Sequence, residues 1–161
     1  SGSAEEVLVA WEAIKRRERE AAGEQDSSAL AGITRGLPEW QRALKLQKRA
    51  AAVGFEWPTI EPVIDKLHEE IKELRAEIHE GASEERLIDE IGDLLFVCVN
   101  LARHVDVDTS RALRHANAKF ERRFRSMEAL AQLQGKAMSE RSLAEQEALW
   151  AEVKRDEANP S

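Results

Sequence analysis

Apolar residues recur at three- and four-residue steps along two adjoining stretches of this chain. The first seam is Ile60, Val63/Ile64, Leu67, Ile71, Leu74 and Ile78, and the second is Leu87, Ile91, Leu94, Cys98, Leu101 and Val105. Both have the period of a helix with one buried stripe. Between them, His79-Glu80-Gly81-Ala82-Ser83 reads as a stop, a turn and a new N-cap, with Glu84 and Glu85 in the first turn of the second helix. Acids are favoured there by the partial positive charge of the helix start. A connection this short makes the two helices antiparallel neighbours. The middle of the second, Leu94-Leu95-Phe96-Val97-Cys98-Val99, is apolar nearly all round and is expected to be the most buried element.

The rest of the chain follows the same period. Residues 4–22 read as a charged helix with a narrow stripe of Val7, Leu8, Trp11 and Ile14, which docks on something because a short lone helix is marginal in water. Residues 23–36 are rich in Gly, Ser and Asp and read as a linker, so 4–36 form an N-terminal arm behind Ser1-Gly2-Ser3, a cloning scar. A domain is expected over 37–157, with 158–161 as a tail. It opens on a helix carrying Trp40, Leu44, Gln47 and Ala51, closed by Gly54 and the loop Phe55-Glu56-Trp57-Pro58. Asp106 or Asp108 caps a further helix with Leu113, Ala116, Phe120, Phe124 and Met127 on its inner face, and Ser142-x-x-Glu145 is a capping box opening the last, with Leu149, Trp150 and Val153 inward. No strand alternation appears. The expected fold is an all-α antiparallel helical bundle of one domain.

Two acidic clusters flank the Gly81 turn symmetrically: Glu69-Glu70-x-x-Glu73 and Asp89-Glu90-x-x-Asp93. Each residue advances about 100° around a helix. Glu70 and Glu73 therefore flank the first seam with the same offset that Glu90 and Asp93 have from the second. In an antiparallel pair equal offsets fall on the same side of the contact, so four carboxylates converge. Four such groups repel one another unless a cation lies among them, and hard oxygen donors suit Mg²⁺ or Mn²⁺. Glu69 and Asp89 point further from the seam and read as groups that handle water. The bland alternative is a solvated face, since charged flanks beside an apolar stripe are ordinary in bundles and glutamate is a good helix former.

Lys119 and Arg123, four apart, share one flank of the helix that carries Asn117-Ala118-Lys119-Phe120-Glu121-Arg122-Arg123-Phe124-Arg125. A cationic pair of this kind suits a polyphosphate, or else bridges to neighbouring acids. Arg122 and Arg125 face water. Asn117 is a candidate ligand contact or brace, Asn100 is a candidate site residue, His104 reads as structural or exposed, Trp57 and Trp150 are candidates for stacking on a base or for the core, and Lys48 adds cationic charge. A net charge of −7 disfavours indiscriminate nucleic-acid binding. The single Cys98 excludes a disulfide within the chain and points to a reducing compartment, the cytoplasm. No apolar run is long enough to span a bilayer.

The residues also resemble a known family. Glu69-Glu70-x-x-Glu73 with Glu90-x-x-Asp93 is similar to the pattern of the all-α nucleotide pyrophosphohydrolases. Residues Lys48 to Trp57, Glu90 to Phe96, Val99 to His104 and Asn117 to Phe124 look like MazG, and Trp11 to Arg19 looks like the segment preceding the second half of two-domain MazG proteins. The resemblance implies hydrolysis of a nucleoside triphosphate to monophosphate and pyrophosphate. It implies Mg²⁺ held by Glu70, Glu73, Glu90 and Asp93, phosphate contacts from Lys119 and Arg123, and a homodimer or dimer of dimers whose bundles complete one another. The expected activity is Mg-dependent and serves nucleotide-pool housecleaning. Glu69 or a metal-ligating carboxylate (Glu70) is the expected proton acceptor, and Lys48, Trp57, Asn100, Asn117 and Trp150 join Lys119 and Arg123 as substrate contacts. A helical interaction module with a vestigial site, acting through residues 4–36, is the alternative.

Overall fold

A computed structural model describes residues 3–21 and 26–160. Ser1 and Gly2 of the expected scar, residues 22–25 and Ser161 of the expected tail lie outside the described residues. The described residues form six α-helices and one 3₁₀ turn, with no strand among them. The chain divides into two compact units, residues 1–110 and 111–161.

In the first unit, α1 (Ala4–Ala21), α2 (Glu39–Ala52), α3 (Glu61–His79) and α4 (Glu84–His104) pack in chain sequence and across it, α3 on α4, α2 on α4 and α1 on α2. The α3–α4 hairpin turns at Gly81, whose φ of 70° is the left-handed conformation glycine adopts without strain. Ser83 caps α4 by accepting from the Arg86 amide at 3.4 Å. Gly54, at φ 93°, ends α2.

The burial pattern of this unit differs from expectation: of the two expected seams, Ile71, Ile78, Ile91 and Val105 are exposed. Val97 and Val99 of α4 are buried, but Leu95 and Phe96 are 44% and 46% exposed, so α4 is not buried all round. The expected stripe of α1 is likewise turned outward: Val7, Trp11 and Ile14 are exposed. What docks α1 is polar. Glu12 pairs with Arg49 of α2 at 2.5 Å, and the same guanidinium donates through Nη1 to the carbonyls of Ala29 and Ala31 at 3.2 and 2.9 Å. That part of the expected linker is thus pinned, with Ala31 buried.

In the second unit, α5 (Thr109–Leu133) and α6 (Leu143–Ala158) pack around Met127, Ala131, Leu149 and Val153. Asp108 precedes α5 and accepts from the Ser110 amide at 3.3 Å, whereas Asp106 sits at a φ of 57° outside the helix. The Ser142/Glu145 capping box forms with both hydrogen bonds at 3.2 Å. Phe120 and Phe124, expected on the inner face, are 58% and 37% exposed and stack on each other at 5.8 Å between ring centroids. The core of this unit begins one turn later, at Met127.

Candidate functional site

The antiparallel hairpin brings acids from α3 and α4 to one point. Carboxylate oxygens of Glu70, Glu90 and Asp93 all lie within 4.8 Å of one another, a group able to hold a metal ion. Glu70 is 4% exposed. One of its oxygens lies 3.1 Å from Lys66 Nζ; the other, Oε2, is buried with no protein partner, and so is Oε2 of Glu90. A buried carboxylate oxygen without a donor is costly. Two such atoms in a group of like charge, with Lys66 reaching only the other oxygen of Glu70, fit a cation held among these carboxylates.

Glu73 stands outside this three-oxygen set. It remains in the same electrostatic neighbourhood. Partial desolvation, then the charges of Glu70 and Glu69, hold the Glu73 carboxyl above its ordinary range. Glu90 is pushed up by desolvation and then by Glu73, Glu70, Glu77 and Asp89, and Asp93 by desolvation and then Asp89 and Glu70. Three of the four expected ligands therefore resist ionising beside one another. Glu69 is exposed and shares Lys66 at 3.5 Å. Lys66 was not among the expected site residues; its position one turn before Glu70 was the available signal.

At the far end of the hairpin lies a polar network that the sequence reading missed. Glu56, from the loop between α2 and α3, accepts from both Arg103 and His104 Nε2, the latter at 2.9 Å. Arg103 also donates to Asn100 Oδ1 at 2.7 Å and to Gln47 Oε1 at 3.4 Å, and Gln47 Nε2 donates to the Phe96 carbonyl at 2.9 Å. Asn100, a candidate substrate contact, is thus tied into this network through Arg103, and His104, expected to be structural or exposed, is tied into it through Glu56. Trp57 follows Glu56 directly and is exposed; Lys48 is half-buried on α2.

In the second unit, Lys119 and Arg123 are half-buried on α5, while Asn117 is exposed. The Arg123 guanidinium carbon lies 5.5 Å from the Trp150 ring centroid, a cation–π contact. Trp150 in turn meets Phe120 at 5.9 Å. Arg122 and Arg125 are largely exposed, as expected.

Residues 59–127 match the MazG nucleotide pyrophosphohydrolase domain. The chain carries a MazG domain. That segment contains all four expected metal ligands together with Lys119 and Arg123. The chain is 47% identical over 153 residues to the nucleoside triphosphate pyrophosphohydrolase of Escherichia coli K12, covering 94% of this chain and 57% of that protein. It is 38% identical over 144 residues to the nucleoside triphosphate pyrophosphohydrolase/pyrophosphatase MazG of Thermotoga maritima, covering 89% and 54%. It is 39% identical over 152 residues to the uncharacterized protein YabN of Bacillus subtilis, covering 94% and 30%. The chain therefore spans little more than half the length of the first relatives. Among the described residues, no helix of the MazG domain or its flanks is long and apolar enough to cross a membrane.

Proposed function

We propose that this chain hydrolyses nucleoside triphosphates to nucleoside monophosphates and pyrophosphate, in a Mg²⁺-dependent reaction that clears unwanted nucleotides from the cytoplasmic pool. The observation that carries this reading is the meeting of Glu70, Glu90 and Asp93 inside the MazG domain, with two buried carboxylate oxygens left without protein donors. The relatives' names point to the same chemistry.

Glu70, Glu90 and Asp93 would hold Mg²⁺, with Glu73 at the edge of the group. Bound there, the ion supplies Lewis acidity toward phosphate oxygens and makes coordinated water more acidic. Glu69, exposed beside the cluster, is the proposed proton acceptor for the attacking water. Lys119 and Arg123 are proposed to bind the triphosphate and to stabilise the charge of departing pyrophosphate. Trp150 and Trp57 are proposed stacking surfaces for the base, and Lys48 and Asn117 outer contacts. Residues 37–157 are read as the working domain and 4–36 as an arm upon it.

A second copy of the chain is the proposed cover for the apolar side of the hairpin. Ile71, Ile78, Ile88, Ile91, Leu95 and Phe96 are all exposed on α3 and α4, and a run of this kind marks an interface.

The test is a panel of ordinary and damaged nucleoside triphosphates with Mg²⁺, scored by product. Pyrophosphate as the first product is expected, and Asp93→Asn should abolish its release while leaving helix content unchanged. Orthophosphate as the first product, or full turnover by D93N, would reject the assignment.

A further inference from the structure

The reading above uses Arg123 as a phosphate contact but leaves unexplained what holds its side chain. Arg123 is 18% exposed, and its Nε donates to Glu157 Oε2 at 2.9 Å. Arg122 Nε donates to the other oxygen of the same carboxylate at 3.1 Å. One glutamate near the end of α6 is thus bracketed by two adjacent arginines of α5. On another side, the Arg123 guanidinium lies over Trp150.

This contact occupies one N–H of five. A guanidinium binds phosphate most strongly through a two-pronged edge. Glu157 takes only Nε, and among the described residues the Nη atoms of Arg123 have no protein acceptor. A glutamate standing in for substrate phosphate would take the fork; this one leaves it free. Arginine side chains carry about 2 kcal/mol of rotamer entropy, and a hold at Nε plus a ring beneath the plane removes much of that freedom before ligand arrives. The carboxylate itself stays ionised at neutral pH, because hydrogen bonds from Arg123 and then Arg122 hold it below the usual glutamate range.

We infer that Glu157 is a positioning residue for the triphosphate: it anchors Arg123 at Nε against Trp150 and presents the Nη edge to a phosphate oxygen. The inference rests on the proposed phosphate role of Arg123 and deepens it.

The test compares wild type, E157A, E157Q, R123A and the E157A/R123A double variant as full chains. The readouts are calorimetric binding of inorganic triphosphate with Mg²⁺ and steady-state kinetics on a nucleoside triphosphate, with circular dichroism as the control for folding. E157A should raise the triphosphate Kd by about two- to fivefold, the range of a partly exposed ion pair, and lower kcat/KM by at least that factor, since Arg123 is also proposed to stabilise departing pyrophosphate. E157Q, which keeps one acceptor oxygen, should lie between. E157A added to R123A should weaken binding no further, since the glutamate acts through the arginine. Unchanged or tighter binding by E157A, or full additivity in the double variant, would overturn the inference. R123A alone tests the parent reading separately: if it binds triphosphate like wild type, Arg123 is not a phosphate contact, and Glu157 has nothing to position.

Discussion

Replacing Glu70 by glutamine should stabilise the metal-free protein and destabilise it relative to wild type once Mg²⁺ is present. Glu70 is almost fully buried, with Oε2 lacking any donor and two acidic neighbours within 4.8 Å. A buried polar group without a partner costs about 1–3 kcal/mol, more when charged. Glutamine keeps the shape and removes the charge, and losing the attraction of Lys66 offsets part of that relief. A net gain of about 1 kcal/mol is expected, which for a chain of this size is about 2–4 °C in Tm. Mg²⁺ at a hundred times its Kd should stabilise wild type by about 2.7 kcal/mol, or about 5–10 °C on the same scale. E70Q should show none of that increment. The assay is thermal unfolding in EDTA and across a Mg²⁺ titration, and the signature is a crossing of the two Tm curves. A lower Tm for E70Q in EDTA would mean that Glu70 is a satisfied structural group. An undiminished Mg²⁺ shift would mean that the ion binds elsewhere.

Two further predictions concern the frame around the site. Burial raises the Glu56 carboxyl, but Arg103 and then His104 outweigh it, so its pKa in the folded protein lies below the ordinary value of 4.5. A depressed carboxylate contributes stability that is present above its unfolded pKa and lost as pH falls through the folded one. Glu56→Gln should therefore be less stable than wild type at pH 7, with the gap closing below about pH 4.5; a gap that is constant down to pH 3.5 in EDTA would contradict the pairing. In the second unit, Leu149→Ala removes a 3% exposed side chain from the Met127–Ala131–Val153 cluster and should cost about 2–4 kcal/mol by denaturant unfolding. Ser142→Ala, which breaks the capping box, should cost about 1 kcal/mol, and equal losses in the two variants would place the core of this unit elsewhere.

Local features of the fold were legible because short-range chemistry fixes them. Gly81 and Ser83 set the hairpin, Ser142 and Glu145 set the start of α6, and helical phase alone placed Glu70, Glu90 and Asp93 on a common side. Helical phase does not fix where the end of a long side chain lies, so the separation of the Glu73 carboxylate from the group of three is not legible in the sequence. Periodicity also cannot say which side of an apolar helix is covered. Leu95, Phe96 and Phe120 sit at core spacing, yet their exposure depends on what packs against them. The polar networks were hidden for a related reason. Glu56 and Arg103, or Arg123 and Glu157, lie far apart in sequence, and each charged residue taken alone looks like ordinary solvated surface.

The same hairpin that leaves acids without donors leaves apolar side chains without cover, and the two deficits bear on each other. Glu70 and Glu90 lie on the helices that expose Ile71, Ile88 and Ile91. Seating the second copy proposed above on that apolar side would exclude water near the acids and lower the local dielectric. Like charges would then repel more strongly and a divalent cation would be attracted more strongly, both in inverse proportion to the effective dielectric constant. Linkage makes such coupling reciprocal: whatever assembly does for cation affinity, the cation does for assembly. An isolated protomer is thus the state in which the carboxylates are most tolerable and the ion least needed. Assembly without the ion would leave buried charge unneutralised, so apolar cover and charge compensation are best supplied together.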